Sequence, residues 1–162
     1  MSASSGGNFY EYPNGVLRNK LGITDAVGLH QIEATAVSIR LLELSVHPLP
    51  GQFDLDHLKA IHRYLFQDIY DWAGELRQVD ISRGSSYFAH FGYIFSNATS
   101  LFTRLAQEQT LLGLPPDQFA RRAAYYLGEI NVLHPFREGN GRTQRVFSMI
   151  SHIRQAINWI GR

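Results

Sequence analysis

The sequence predicts one domain that is mostly α-helical and carries a small β-hairpin. Apolar residues recur at spacings of three and four in five long stretches, which is the period of an amphipathic helix. Two short β-prone runs around a Ser/Arg/Gly turn, at about residues 78–90, give the one convincing hairpin pattern. A length of 162 residues with 44% hydrophobic side chains suits a single domain with a substantial core.

The N-terminal residues 1–8 are rich in Ser and Gly, so we expect them to be flexible and the domain to span residues 9–162. An Asn14-Gly15 turn follows. Thr24 or Asp25 can cap the first long helix, which should run to about Ser45. Its expected core-facing residues are Leu29, Ile32, Ala36 and Ile39.

The second helix can start at an Asp54 cap and end at a Gly74 C-cap. Its expected core-facing residues are Leu55, Leu58, Ile61, Leu65 and Ile69. His57 and His62 also lie in it, five residues apart. Because two metal ligands on a helix favour a spacing of four, we interpret them as histidines at the surface or the rim.

Three more helices are predicted after the hairpin, from about Tyr93 to Leu112, from about Asp117 to His134, and from Asn140 or Gly141 to about Ile157. The middle one is expected to be a central buried helix. It should end near His134 in extended backbone, because a residue that precedes proline is pushed out of the α region. The expected core-facing residues of the three helices are Ile94, Ala98, Leu101, Phe102 and Leu105; Phe119, Ala123, Leu127 and Ile130; and Val146, Ile150 and Ile153.

Composition excludes several classes of protein. The net charge is +1 and no basic block occurs, so we expect no direct nucleic-acid partner. The chain has no cysteine, which excludes disulfides and thiolate metal sites. Neither a run of 18 apolar residues nor a signal peptide is visible, so we expect a soluble cytoplasmic protein with no membrane partner.

The stretch from His134 to Arg145 carries the chemistry. It reads His-Pro-Phe-Arg-Glu-Gly-Asn-Gly-Arg-Thr-Gln-Arg. A glycine-rich loop followed at once by a helix offers backbone N–H groups and a positive dipole end to an anion. Arg142 and Arg145 are three residues apart and project from neighbouring positions on that helix. These groups predict a polyphosphate site, with His134 beside it as a proton acceptor and Glu138 as a ligand for Mg²⁺.

This stretch resembles the signature of Fic-domain proteins at all eight of its fixed positions. The likeness extends to the Tyr-Pro-Asn-Gly segment, to the Trp72-Ala73-Gly74 segment and to the hairpin, so it implies a Fic-type helical bundle with a hairpin flap. It implies transfer of AMP from ATP to a hydroxyl side chain of a target protein. A P-loop is excluded, since no Gly-x-x-x-x-Gly-Lys string occurs.

The resemblance also implies a role for each residue of the signature. His134 would be the base, and Glu138 would hold Mg²⁺ against the phosphates. Asn140, with the backbone at Gly139 and Gly141, would bind the α-phosphate and act in catalysis. Arg142 would bind the β-phosphate and Arg145 the γ-phosphate. The flap residues that would dock the target are Val79, Asp80, Ile81, Tyr87 and Phe88.

Regulation is a further implication of the resemblance. Many Fic proteins carry an inhibitory helix with the pattern Ser or Thr, three residues, Glu, then Gly or Asn, whose Glu pairs with the second arginine of the signature, here Arg145. Not one Glu in the 162 residues has Ser or Thr four positions earlier. The sequence therefore predicts that a small antitoxin protein supplies the glutamate, unless a segment outside these residues does. The chain would then be the toxin of a pair, and similarity to bacterial Fic toxins suggests DNA gyrase and topoisomerase IV as targets.

Two other functions stay open at this stage. One is another Fic-type transfer, such as phosphorylation or transfer of UMP or phosphocholine. The Doc-type kinase signature has lysine at the position of Gly141 and lacks the second arginine, which favours AMP transfer. The other is a silent module that binds a nucleotide without catalysis.

Overall fold

A computed structural model describes residues 9–161, apart from the side chain of Ser86, so the segment predicted to be flexible lies outside the described residues. These residues form five α-helices and one hairpin, as the sequence predicts. None of the described helices combines the length and the apolar character that crossing a bilayer requires. The helices are α1 (Ala26–Val46), α2 (Leu55–Phe66), α3 (Ile94–Gln107), α4 (Pro116–Leu133) and α5 (Asn140–Ile160).

Helix α2 is the centre of the bundle and packs against α1, α3 and α5. Its N-cap is Asp54, as predicted, whose carboxylate accepts a hydrogen bond from the His57 N–H at 2.8 Å. The predicted end at Gly74 is wrong, because α2 stops at Phe66 and the chain turns back towards the bundle. Gly74 lies in that turn with a φ of +85°, which favours glycine over other residues.

Helix α1 has apolar side chains on two faces. Of its four predicted core-facing residues, Leu29 is buried and Ala36 packs against the core, whereas the predictions for Ile32 and Ile39 are wrong. The N-cap is Asp25, one of the two residues predicted for it, and it accepts from the Gly28 N–H at 2.6 Å. Ile32 and Ile39 point to solvent and are 43% and 57% exposed. The buried residues of α1 are Leu29, Glu33, Val37 and Leu44.

Helices α3, α4 and α5 pack in series, α3 on α4 and α4 on α5. All five core residues predicted for α3 are buried. The expectation of a central buried α4 is wrong, because only the side towards its two neighbours is covered and Ala123 and Leu127 stay partly exposed. In α5, Val146 and Ile150 are buried as predicted, but Ile153 is 38% exposed.

The hairpin is shorter than the sequence suggests. Strands β1 (Ser82–Arg83) and β2 (Ser86–Tyr87) pair in antiparallel register, Ser82 with Tyr87. Of the flanking residues that were expected to extend the strands, Phe88 still donates its N–H to the Ile81 carbonyl at 3.4 Å, whereas Val79 and Ala89 bond elsewhere. The carbonyls of Val79 and Ala89 accept from the Arg77 side chain, and the Ala89 N–H donates to the Val132 carbonyl at 3.1 Å. We call residues 78–90 the flap.

Candidate active site

A cleft of about 590 Å³ lies between the flap and the start of α5. It brings together all seven residues of the His134–Arg145 stretch that the sequence singles out. Of the five flap residues proposed for target docking, Ile81 and Phe88 line it, whereas Val79, Asp80 and Tyr87 do not. The lining residues are Ile81, Ser82, Arg83, Phe88, Asn131, His134, Arg137, Glu138, Gly139, Asn140, Gly141, Arg142 and Arg145.

The floor of the cleft is the N-terminus of α5. Gly139 precedes the helix with a φ of +78°, and a Cβ there would come within 2.2 Å of the Phe66 ring. Only glycine meets both conditions. The Thr143 N–H closes the first helical bond on the Gly139 carbonyl at 3.1 Å. The N–H groups of residues 140–142 therefore belong to the first turn, where backbone donors lack helical acceptors and can bind an anion.

Asn140 shapes this loop with its side chain. Its Oδ1 accepts from the Phe136 N–H at 2.9 Å, and its Nδ2 donates to the Phe136 carbonyl at 2.8 Å. The residue is only 3% exposed. The side chain thus positions the loop, and each of its polar atoms has one partner there. Nδ2 carries a second hydrogen, so the assignment of the side chain to the α-phosphate stays a prediction.

The two arginines have different surroundings. Arg142 Nη1 lies 2.6 Å from Glu33 Oε1, and Arg142 Nη2 lies 3.4 Å from Glu138 Oε1. Its guanidinium also covers the Phe66 ring, 4.8 Å from the centroid. Arg145 is exposed, and its Nη1 lies 3.8 Å from the place of a Cβ at Gly141. Arg142 is thus held in place, whereas Arg145 is exposed beside Gly141.

Glu138 is the candidate metal ligand. Its Oε1 accepts from the Gly139 N–H at 2.8 Å, and both of the carboxylate's contacts among the described residues use that oxygen. Oε2 can therefore take a cation. Residues 9–161 contain no group of three His, Cys, Asp or Glu side chains that could hold a metal. A single carboxylate fits Mg²⁺, which commonly combines one or two protein oxygens with water and substrate phosphates.

His134 lies at the mouth of the cleft. Its backbone is left-handed, with a φ of 44° and a ψ of 62°, so the predicted extended backbone is wrong. The residue caps α4, its N–H donating to the Ile130 carbonyl at 3.0 Å. Nδ1 lies 3.2 Å from the Asn131 carbonyl, which selects the tautomer that leaves Nε2 without a proton. The Phe88 ring stacks on the imidazole at 3.7 Å, and burial lowers the His134 pKa.

His62 supports the site from below, and its interpretation as a surface or rim residue is wrong. It is completely buried. Its Nε2 lies 3.0 Å from the Glu138 carbonyl, and its Nδ1 accepts from the Gly74 N–H at 2.8 Å. The ring stacks on Phe136 at 3.9 Å. Burial lowers the pKa of His62 to about 4, so the ring stays neutral and holds the loop through hydrogen bonds.

His57 is also buried, which corrects its assignment to the surface or rim. Its Nδ1 accepts from the Phe53 N–H at 3.3 Å, and its Nε2 lies 3.0 Å from the Leu49 carbonyl. Burial lowers its pKa. In both histidines each ring nitrogen has a hydrogen-bond partner, and both residues belong to the core. The helical period places both on the buried face of α2, and this pattern could have predicted their burial from the sequence.

The three predicted docking residues outside the cleft have other surroundings. The Val79 carbonyl accepts a hydrogen bond from Arg77 Nη1 at 2.7 Å. Asp80 accepts from the Phe91 N–H at 2.8 Å and lies 3.4 Å from His90. Tyr87 is 86% exposed. Arg77 and Glu33 were missed from the sequence; each is buried and has a partner far along the chain, the His134 carbonyl for Arg77 and the Arg142 guanidinium for Glu33.

This fold and cleft define a class: a helical domain whose cleft combines an anion-binding helix start, two arginines and an imidazole. The chain belongs to the Fic/DOC family, whose model matches residues 52–150. It is 51% identical over 133 residues to the protein adenylyltransferase VbhT of Bartonella schoenbuchensis, covering 82% of this chain and 28% of VbhT. It is 44% identical to the probable protein adenylyltransferase Fic of Salmonella typhimurium, covering 94% of this chain and 76% of that protein.

A solved structure has the same fold. BepC, a VirB-translocated effector of Bartonella tribocorum crystallised with bound AMPPNP, superimposes with a TM-score of 0.76 at 30% identity. The match covers 86% of this chain and 74% of BepC. The fold expected from the signature is thereby confirmed.

Proposed function

We propose that the protein is a protein adenylyltransferase, which transfers AMP from ATP to a hydroxyl side chain of a target protein. The observation that carries the proposal is the single cleft that holds His134, the start of α5, Arg142 and Arg145 beneath the flap. The names of VbhT and of the Salmonella protein and the AMPPNP bound to BepC support the same activity.

The proposed reaction gives each of these groups a role. The target hydroxyl gives its proton to His134 Nε2 as its oxygen bonds to the α-phosphorus of ATP. The bond from the α-phosphorus to the oxygen shared with the β-phosphorus breaks, and pyrophosphate leaves. The first-turn N–H groups of α5 stabilise the charge on the α-phosphate oxygens. A positioned base is worth about 10²–10⁴-fold in rate.

ATP would be oriented by charge along the cleft. Arg142 would bind the β-phosphate, and Arg145, which is exposed, would bind the γ-phosphate. Glu138 would hold Mg²⁺ through Oε2, and the cation would screen the phosphate charges. The flap residues Ile81 and Phe88 would bring the target segment beside His134, with the free flap edge available for strand addition.

Intact-mass spectrometry tests the proposal against its alternatives. The protein is incubated with a bacterial lysate, Mg²⁺ and ATP, and proteins that change mass are compared with a His134→Ala control. A gain of one AMP that needs His134 supports adenylyl transfer. A gain of one phosphate points to a kinase, and a gain of UMP after incubation with UTP points to UMP transfer. Binding of ATP without modification of any protein indicates the silent module.

We further propose that the activity is held in check by a small antitoxin protein, which makes the chain the toxin of a pair. Arg145, the residue that such a partner's glutamate would engage, is exposed. Helix α1 also presents an apolar stripe, with Ile39, Leu42 and Val46 exposed at 57%, 68% and 66%. A helix apolar on both faces fits a bundle that continues into another helix. Gyrase and topoisomerase IV are the targets we propose from the likeness to Fic toxins.

A synthetic helix tests the inhibition directly. A peptide with the sequence pattern Ser-x-x-x-Glu-Gly is added to the transfer assay beside a control peptide with Gln in place of Glu. The glutamate peptide should lower the rate and the glutamine peptide should not. Equal rates with both peptides would contradict the proposal that a glutamate supplied in trans inhibits the enzyme.

A further inference from the structure

A buried arginine outside the signature connects the flap to the catalytic loop. The side chain of Arg77 is 0% exposed. Arginine is rarely buried completely, since its charge must be compensated inside the protein. Among residues 9–161 the carboxylate paired with it is that of Asp80, at 3.8 Å, which is 53% exposed. The compensation must therefore come mainly from other groups.

Four backbone carbonyls provide it. Two belong to the base of the flap: Nη1 donates to Val79 O at 2.7 Å, and Nη2 to Ala89 O at 2.5 Å. Two belong to the end of α4: Nε donates to His134 O at 2.8 Å, and Nη2 to Leu133 O at 3.2 Å. One planar group thus bonds both sides of the flap and the backbone of the catalytic histidine.

The backbone of Arg77 adds a fifth bond to the same region. Its N–H donates to the Pro135 carbonyl at 2.9 Å. Residue 77 therefore binds three successive carbonyls, those of Leu133, His134 and Pro135. These bonds hold the left-handed backbone of His134, a conformation that a residue other than glycine keeps only when its surroundings impose it.

The ring of His134 depends on the two parts that Arg77 joins. The loop sets the position of its Cα, and the flap supplies Phe88, which stacks on the imidazole at 3.7 Å with an interplanar angle of 15°. Phe88 is directly followed by Ala89, whose carbonyl Arg77 holds. A shift of the flap relative to the loop would therefore rotate or displace the base.

We propose that Arg77 is a positioning residue for the transfer reaction, which fixes the position of the flap relative to the His134 backbone. The inference rests on the proposed adenylyl transfer. It assigns Arg77 no contact with ATP, because the phosphate-binding groups lie on α5 and its preceding loop. Lysine keeps the charge at this position, but its single ammonium cannot reach four carbonyls at once.

The test compares Arg77→Lys with the wild type and with Arg40→Lys as a matched control. Arg40 is a hydrogen-bonded arginine on α1, paired with Asp68 at 2.9 Å. The rate kcat is measured at saturating target and ATP, and the dissociation constant of ATP separately by calorimetry in a His134→Ala background. Each kcat is divided by the folded fraction from circular dichroism at the assay temperature.

Arg77→Lys should lower kcat about 10- to 100-fold, as expected for a misplacement of roughly 1 Å, and change the ATP dissociation constant less than about threefold. Arg40→Lys should change neither. A kcat for Arg77→Lys within about twofold of the wild type would overturn the proposal. So would equal losses in kcat and ATP affinity, which indicate a general loss of structure. A wild type without AMP transfer would instead contradict the proposed function.

A second variant covers the case in which Arg77→Lys does not fold. Phe88 is only half-buried, so Phe88→Leu should fold and disturb only the contact between flap and imidazole. It should lower kcat about 10-fold at unchanged ATP affinity, and an unchanged kcat would overturn the coupling of flap and base. Where both single variants fold, the fold-loss of kcat in the double variant should be smaller than the product of the two single fold-losses. Both variants disturb the same position of the flap relative to the loop, so their effects should not be independent.

Discussion

The pH dependence of stability should reveal His62, the buried imidazole beneath the catalytic loop. Folding lowers its pKa from 6.5 to about 4 through burial. Above about pH 6.5 the ring is neutral in both the folded and the unfolded chain and contributes no dependence. Between about pH 6.5 and 4 the unfolded chain binds a proton that the folded chain does not. The free energy of unfolding therefore falls as the pH falls through this window.

The size of the effect follows from the two pKa values. The interval between 6.5 and about 4, at about 1.36 kcal/mol for each pH unit, gives a loss of roughly 3 kcal/mol. This is a large part of the 5–15 kcal/mol that is typical of domains. The structural cause is specific: a proton on Nδ1 would replace the lone pair that accepts the Gly74 N–H at 2.8 Å.

Urea unfolding followed by circular dichroism, at pH steps from about 7 to about 4, measures this loss. The matched variant is His62→Gln, whose amide can donate to the Glu138 carbonyl and accept from Gly74 but does not titrate. It should be less stable than the wild type at pH 7. On acidification, its free energy of unfolding should fall by roughly 3 kcal/mol less than that of the wild type. His47→Gln, at an exposed histidine, should retain the wild-type slope. Parallel curves for the wild type and His62→Gln would refute the reasoning.

Three further predictions concern the cleft. Gly139→Ala should lower the free energy of unfolding in urea by about 2 kcal/mol or more and weaken ATP binding at least about 10-fold, because its Cβ would clash and its φ is +78°. The control is Gly141→Ala, whose Cβ meets only Arg145 Nη1 at 3.8 Å; its free energy of unfolding should stay within about 1 kcal/mol of the wild type. Asn140→Asp should lower kcat about 10- to 100-fold by replacing the donor to the Phe136 carbonyl with an acceptor, and a wild-type kcat would contradict the positioning role. The rate kcat/KM should fall with acid as His134 is protonated, with a midpoint below pH 6.5 because burial lowers the His134 pKa; a midpoint above 6.5 would contradict that environment.

The parts of the site that could be predicted are those that are contiguous in the chain. His134, Glu138 and Arg145 fall within twelve residues, so a short loop and a helical start fix their relation once the period is known. Helix caps at Asp25 and Asp54 were predictable for the same reason, since each cap depends on residues only three positions away.

The parts that could not be predicted depend on polar contacts between distant segments. Glu33 reaches Arg142, His62 reaches the Glu138 carbonyl, and Arg77 reaches the His134 carbonyl. From the sequence alone each is a charged or titratable residue in a helix or a loop, and such residues are usually exposed. Only the packed bundle shows that these three side chains are buried and that their partners lie along the cleft.

Helix α1 shows a different limit. Its apolar residues satisfy the helical period on both faces, so periodicity could not decide between Ile32 and Glu33 as the buried position. The choice depends on Arg142 and Tyr70, which both bond to the Glu33 carboxylate. Glu33 therefore lies on the buried face of α1 together with Leu29, Val37 and Leu44.

Adenylyl transfer itself is tested most directly by the position of a radioactive label. The protein is incubated with Mg²⁺, a bacterial lysate and ATP labelled at either the α- or the γ-phosphate, beside the variants His134→Ala and His47→Ala. Adenylyl transfer predicts that the protein attaches the α label alone, that His134→Ala abolishes this labelling, and that His47→Ala retains it. Transfer of the γ label by the protein, or α labelling that persists without the His134 imidazole, would contradict adenylyl transfer with His134 as the base.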